Sequence, residues 1–308
     1  MSAPVLALDI GGTKLAAALV GPQGGVHRFT RRPTRTGRDA EALYDDVVTL
    51  LDDVRRGVDI AGVGVGCGGP MRWPAGEVSP LNIPAWDGFP LREMLTGRYP
   101  ARPVRVHNDA ACVAVGEHWR GAGRRVADLI GMVVSTGVGG GLVLGGRLVD
   151  GATGNAGHIG HVVVDADGPP CACGGRGCLE AVASGPAIAA WAVELGWRTA
   201  GATARELADD AQAGDAIAVA AMARAGIALG IGIASAVQLC DLELVIVGGG
   251  VAQAGPLLFD PLEAAYQRHA GLGFARVPRV VAAALGEQAG LVGAAALVLA
   301  GTRYWSAD

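Results

Sequence analysis

Two segments of the chain repeat one plan, a buried strand, a glycine turn and a second buried strand, and that repetition narrows the choice of fold more than any other feature. In the first, Pro4–Ile10 (PVLALDI) leads through Gly11 and Gly12 to Leu15–Val20; in the second, Leu129–Val134 leads through Ser135–Gly141 (STGVGGG) to Leu142–Leu144. Short apolar runs bounded by glycine read as core strands. Two such units about one domain apart predict a duplicated α/β fold whose halves both hold phosphates across a cleft. The first bend adds chemistry. The backbone N–H groups of the turn, the Thr13 hydroxyl and the Lys14 amine suit phosphate, and Asp9 suits a Mg2+ ion. The spacing is not that of a P-loop, because no helix-opening glycine precedes the lysine at the required distance. Lys14 is the only lysine in the chain. An ordinary hairpin with a solvated lysine accounts for the same residues.

The remaining chain alternates helical and strand patterns. Residues 39–54 have apolar positions at helical spacing, and 58–66 (VDIAGVGVG) read as a strand. Cys67–Pro70 (CGGP) then forms a glycine turn that includes Gly69. Asn82–Trp86 (NIPAW) forms a proline-stiffened loop in which Asn82 can donate to and accept from a sugar hydroxyl. Trp86 either offers an aromatic face to a sugar ring or is packed. Val104–Val106 is a short strand running into His107, Asn108 and Asp109, ahead of a helix over 110–119. A carboxylate at that place either caps the helix or serves as a general base, and the residues alone leave both open. Helices follow over 184–195, 203–213 and 215–238. Leu244–Val247 is a strand that ends in Gly248, Gly249 and Gly250, Arg279–Ala283 another strand, and 289–300 a closing apolar helix.

Asn155–Glu180 (NAGHIGHVVVDADGPPCACGGRGCLE) holds the pattern H-x9-C-x-C-x4-C, made by His161, Cys171, Cys173 and Cys178. Three thiolates and one imidazole complete a tetrahedral zinc shell. Such a shell is structural, since a zinc hydrolase needs an open position for water. The other cysteines, Cys67, Cys112 and Cys240, are scattered, and no hydrophobic signal segment opens the chain, so a reducing cytoplasm is expected in place of disulfides. A net charge of −4 gives no electrostatic reason to expect nucleic acid. The longest apolar run, 225–240, is interrupted by Ser235 and Gln238, and no membrane span is expected.

Taken together and in order, LALDIGGTK, NIPAW, HNDA, STGVGGG, GNAGHIGH, CACGGRGCLE and IVGGG resemble the ROK family of sugar kinases and related repressors over nearly the whole chain. The resemblance implies a duplicated actin-like, ribonuclease H-type fold with two domains flanking a cleft that holds ATP, and 6-phosphorylation of a hexose or hexosamine. It implies that Asp109 is the base taking the sugar 6-hydroxyl proton and that Asn108, Gly69, Asn82, His161 and Glu180 contact the sugar. Asp9, Gly11, Gly12, Thr13 and Lys14 match the phosphate and Mg2+ loop, Thr136 and Gly137 the second phosphate loop, and Gly249 and Gly250 the adenosine side. A homodimer is expected on the same basis. With the first strand starting near Pro4, no helix-turn-helix is expected ahead of it, which favours kinase over repressor. The domains expected are 1–110 with a C-terminal helix at about 287–301, and 111–286 with the zinc loop.

One position departs from the family's commonest pattern. His158 stands where most members carry glutamate. Histidine can donate as well as accept, which suits an acyl carbonyl oxygen at C2 of the sugar. A similar G-H-I-G-H occurs in some bacterial N-acetylmannosamine kinases of the family. N-acetylmannosamine and glucose are therefore the leading substrates, with His158 in a sugar-contacting position; an amino-sugar kinase, acting for example on kanosamine, and a non-catalytic sugar sensor are the alternatives.

Overall fold

The computed structural model describes residues 3–198 and 201–307. The chain opens with strands β1 (Val5–Ile10), β2 (Lys14–Val20) and β3 (Val26–Pro33), then helix α1 (Ala40–Arg55) and β4 (Gly62–Cys67). A short pair, β5 (Met71–Arg72) and β6 (Glu77–Val78), precedes α2 (Leu91–Arg98), β7 (Val104–Asn108) and α3 (Asp109–Arg120). Next come β8 (Leu129–Val134), β9 (Val138–Leu144), β10 (Arg147–Leu148), α4 (Leu179–Ala183), α5 (Gly185–Glu194), α6 (Ala204–Gln212) and α7 (Ala216–Cys240). The chain closes with β11 (Leu244–Gly248), α8 (Pro256–His269), β12 (Arg279–Ala282) and α9 (Ala289–Leu299).

The duplication expected from the two glycine hairpins is visible in the strand order. One sheet runs β3-β2-β1-β4-β7 and the other β10-β9-β8-β11-β12, so each follows the same sequence when its own strands are counted from its hairpin. In each, the first strand is parallel to the fourth and the fourth to the fifth. β3, the short strands β5, β6 and β10, and helices α2 and α4 escaped the sequence pattern. β3 is an exposed edge strand rich in arginine with no apolar alternation.

The chain folds into two compact units, one of Met1–Ala127, Gly141–Gly157 and Ala284–Asp308, the other of Asp128–Gly140 and His158–Ala283. The expected division after residue 110 falls inside α3, which lies wholly in the first unit. In that unit β1 is buried on both sides. Its pleat sends Leu6, Leu8 and Ile10 into the core beneath α1, and Val5 and Ala7 into the core formed with α3 and α9. Asp9 falls on the second of these faces by the same alternation. Asp39 caps α1 by accepting from the Ala42 amide, and Leu43, Val47, Leu50, Leu51 and Val54 line its buried stripe.

Helix α9 (AGLVGAAALVL) meets its neighbours backbone to backbone. A Cβ on Gly293 would overlap the Cys112 carbonyl oxygen of α3, one on Gly116 the Ala289 carbonyl, and one on Gly64 of β4 the Ala294 carbonyl. In the second unit α7 is long and apolar enough to cross a membrane by length and composition, yet more than half of its apolar window is buried. A Cβ on its Gly226 would stand 2.5 Å from the Leu258 carbonyl of α8, so it is a core helix packed at close range. Asp215 caps it at the Ala218 amide.

Because backbone meets backbone where Gly293 faces the Cys112 carbonyl, Gly293→Ala forces the helices apart. It should cost about 1–3 kcal/mol of stability, read as a lowered thermal midpoint; an unchanged midpoint would show that the contact yields freely.

Candidate active site

In the first unit, the end of β7 and the start of α3 decide the role of the two polar residues between them. Asn108 is the N-cap: its Oδ1 accepts from the Ala110 amide at 3.0 Å and the Ala111 amide at 3.2 Å. The cap that Asp109 was expected to compete for is therefore taken by its neighbour. Asp109 Oδ1 accepts from the adjacent Ala110 amide at 2.8 Å. Burial pushes its carboxyl above the ordinary carboxylate range, with the Ala110 amide opposing.

Asp9 lies near it. It pairs in register with Gly66 of β4, and a Cβ on Gly66 would stand 3.3 Å from the Asp109 Cα. The Asp9 carboxyl is raised to about 7, by burial first and then by the Asp109 charge, with Lys14 opposing. Two carboxylates crowded into one apolar face are short of positive charge.

The turn that follows Asp9 is tight. The Gly11 amide donates to the Lys14 carbonyl at 3.0 Å, and the Thr34 hydroxyl donates to the Gly11 carbonyl at 2.7 Å. Gly12 is required by contact, since a Cβ there would overlap the Asn82 Cβ. Asn82 is exposed beside Leu81, whose amide donates to the Gly69 carbonyl at 3.3 Å. The structure thus gathers Gly12, Gly69 and Asn82, and the Gly68 amide ties the same loop to the Ile10 carbonyl at 3.1 Å. Thr13 is exposed at the tip. Trp86 is not presented to any ligand. It is fully buried, stacked on Phe89 with centroids 4.5 Å apart, and its indole N–H donates to the Ala40 carbonyl.

In the second unit, Thr136 is exposed on the turn between β8 and β9, and Gly137 beside it admits Glu180, whose Oε2 would lie 2.6 Å from a Cβ there. The same oxygen accepts from the Val138 amide at 2.9 Å, which fixes the Glu180 carboxylate at the start of α4. Gly249 has φ +95°, and a Cβ would overlap the Val134 carbonyl, so the β11 turn can approach β8 only as glycine. Gly250 follows it, and a 3-10 turn over Val251–Ala254 intervenes before α8.

His158 and His161 flank a short 3-10 turn, with rings 6.2 Å apart and 21° from parallel. The donor atoms of His161, Cys171, Cys173 and Cys178 all lie within 4.8 Å of one another. Cys171 Sγ is 3.8 Å from His161 Nδ1, and Cys173 Sγ is 3.7 Å from Cys178 Sγ. The loop closes on itself through the Cys171 amide to the Gly175 carbonyl and the Gly177 amide to the Pro169 carbonyl. Burial, then the neighbouring thiols, push Cys178 up to about 12.

Two buried groups carried no sequence signal as functional residues. His107 Nε2 lies 3.0 Å from Asp150 Oδ1, and Glu117 accepts from the Ala122, Ala284 and Leu285 amides. Their partners are distant in sequence, so spacing could not reveal them.

The sequence profile of the ROK family matches residues 5–300. The chain is 35% identical to a glucokinase of Thermotoga maritima over 308 aligned residues, covering 96% of each. It is 40% identical to an N-acetylmannosamine kinase of Escherichia coli O157:H7 over 253 residues, covering 81% of this chain and 84% of the relative. Among solved structures, it superposes with a TM-score of 0.84 on a ROK family glucokinase from Streptomyces griseus in complex with glucose and AMPPNP, at 34% identity over 97% of this chain and all of that one.

The raised Asp9 carboxyl has a thermodynamic consequence. Between its ordinary value of 3.8 and about 7 the folded chain keeps a proton that the unfolded chain has released, so stability falls as pH rises through that window. Asp9→Asn removes the burden. In chelator the variant should melt at least about 2–4 °C above the parent near pH 8, with the difference shrinking towards pH 5. A lower midpoint at pH 8 would contradict the raised value.

Proposed function

The chain belongs to the ROK family and has the actin-like α/β fold of its kinases, and on that premise we propose that it transfers the γ-phosphoryl group of ATP to the 6-hydroxyl of a hexose or hexosamine. The observation that carries this reading is the division of labour at the start of α3. Asn108 caps the helix, which leaves the half-buried Asp109 carboxylate for the substrate. Asp109 takes the proton of the 6-hydroxyl as that oxygen attacks the γ-phosphorus and the bond to the ADP oxygen breaks. Burial raises its basicity, which suits that task.

Asp9 is the carboxylate that would hold Mg2+, and the crowding of Asp9 and Asp109 fits a divalent cation. Magnesium, when bound, neutralises phosphate charge. Gly11, Gly12, Thr13 and Lys14 then offer the phosphates amides, a hydroxyl and an ammonium; Thr136 and Gly137 serve a second phosphate contact, and Gly249 and Gly250 the adenosine side. Gly69, Asn82, Asn108, His158, His161 and Glu180 are assigned to the sugar. Asn108 has its oxygen committed to the cap, so its carboxamide nitrogen is the group it can offer. The Val138 amide holds Glu180 in one orientation.

N-acetylmannosamine and glucose are the substrates this reading favours, and His158, which can donate as well as accept, is either a specificity residue for an acyl oxygen or a tolerated variant. The Cys3His group is assigned to structural zinc. A tetrahedron with ~2.3 Å Zn–S bonds has edges of about 3.8 Å; two of the six donor pairs stand 3.7 and 3.8 Å apart, and all four donor atoms lie within 4.8 Å of one another. Zinc bound there would have all four positions filled by protein, so it would hold the loop and leave no open position for water. With Nδ1 turned to the cysteines, His161 keeps Nε2 for a sugar hydroxyl. The six cysteines are free thiols, in keeping with a cytoplasmic protein, and a homodimer is proposed on family resemblance.

Steady-state turnover with Mg-ATP on glucose, N-acetylmannosamine, N-acetylglucosamine and kanosamine tests the function. An N-acetyl sugar ahead by more than about tenfold, ~1.4 kcal/mol, makes His158 a specificity residue, and glucose ahead makes it a tolerated variant. Asp109→Asn should bind sugar yet turn over at least ~100-fold more slowly. No turnover on any sugar would move the protein to a sensor. For the metal, Cys173→Ser should lose zinc by elemental analysis and lose sugar affinity with it; retained zinc would defeat the assignment.

A further inference from the structure

The C-terminal segment lies beyond residues 5–300, which the ROK profile matches, and it is fastened to the first unit at three consecutive residues. His118 Nε2 donates to the Val126 carbonyl at 2.9 Å, so its Nδ1 is the acceptor for the Tyr304 hydroxyl at 2.8 Å. Trp305 is buried, edge-on to Trp73 at 5.8 Å, with the Arg92 and Arg105 guanidinium carbons 5.2 and 5.7 Å from its ring centroid. The Ser306 hydroxyl then donates to Asp150 Oδ2 at 2.9 Å.

From Asp150 the hydrogen bonds run on to the active turn. His107 is 1% exposed in its side chain and lies on β7 directly before Asn108. Its Nδ1 accepts from the Asn108 backbone amide at 2.8 Å. The ring proton is therefore on Nε2, which donates to Asp150 Oδ1 at 3.0 Å. The Asn108 amide and the Asp150 carboxylate select the same tautomer, since the other one would set an N–H against the Asn108 N–H; without the carboxylate the Nε2–H loses its acceptor and the ring its anchor. Asn108 in turn caps α3 and sets where Asp109 begins it. An unbroken series of contacts thus joins Ser306, Asp150, His107 and Asn108.

We propose that Ser306, Asp150 and His107, held in place by Tyr304 and Trp305, form a positioning relay that fixes the Asn108–Asp109 turn for phosphoryl transfer. They act through Asp109, and the proposal rests on reading Asp109 as the base. Misplacement of a reacting group by about 1 Å can cost ~100-fold in rate, so a relay one residue away from the base should register in turnover before it registers in binding.

The test uses the full chain with Asp150→Ala, Asp150→Asn and Ser306→Ala. It reads kcat and sugar KM together with deuterium uptake by the peptide spanning 104–111. Asp150→Ala should lower kcat by about 10–100-fold with KM changed less than about threefold, and uptake at 104–111 should rise. Asp150→Asn keeps an oxygen that accepts from His107 Nε2 and should recover kcat to within about threefold of the parent. Equal losses in the Ala and Asn variants, or a folded Asp150→Ala with parental kcat and uptake, would overturn the relay. Should Asp150→Ala fail to fold, Ser306→Ala at its exposed position decides: a lower kcat at constant KM supports the relay and an unchanged kcat refutes it. A parent that phosphorylates no sugar would instead defeat the reading of Asp109, while deuterium uptake in the variants would still report on the relay.

Discussion

Backbone-to-backbone contact sets how closely α9 approaches α3 and β4 in the first unit. Where α9 crosses α3 and β4, a Cβ on Gly293, Gly116 or Gly64 would overlap a neighbouring carbonyl. Interiors are packed too densely to absorb such additions without movement. The positions of both carboxylates follow from this contact, because Asp109 opens α3 and Asp9 sits on the face of β1 that these helices cover. Gly290 of α9 also belongs to it, since a Cβ there would stand 3.3 Å from Asp9 Oδ2. Small residues in the C-terminal helix therefore bear on a site whose charged members lie some 180 to 280 positions earlier.

Electrostatics supplies the second constraint. Burial raises the carboxyls of Asp9 and Asp109, and the Asp109 charge raises Asp9 further. Such a pair is costly in an apolar face unless cations or donors meet it. Lys14, the backbone amides of the turn and a bound divalent ion are the compensations within reach of the chemistry. The second unit solves a different problem with the same economy of side chains. Glu180 is oriented by one amide, and the thiol loop is closed by its own backbone before any metal is considered.

Strands and helices with strong apolar periodicity were legible from the sequence: β8 has the bounds its pattern predicts, and α1, α3, α6, α7 and α9 differ from theirs by a residue or two. β3 was not legible, because an arginine-rich edge strand has no buried face to leave a period. The HNDA segment shows where local reading stops. Its residues suit a cap and a base, and which residue does which depends on the direction in which each side chain leaves the first turn of α3. Trp86 failed for a related reason. An indole beside prolines in a loop looks available, but Phe89 and the Ala40 carbonyl, the latter far away in sequence, claim both its face and its N–H.

The sequence by itself determined the duplication, the positions of the glycine turns and the four metal-type ligands, since all of these are set by residues close together along the chain. Tertiary structure alone decided that Asn108 caps and Asp109 does not, that Asp150 and Ser306 reach His107, and that α3 stays whole in the first unit. The first depends on the direction in which two neighbouring side chains leave a helix turn, and the others on residues brought together by packing across 43 to 156 positions; neither spacing nor composition encodes either. A hydrogen bond of about 3 Å is a fact of three-dimensional position, whereas the residue types able to make it are a fact of sequence.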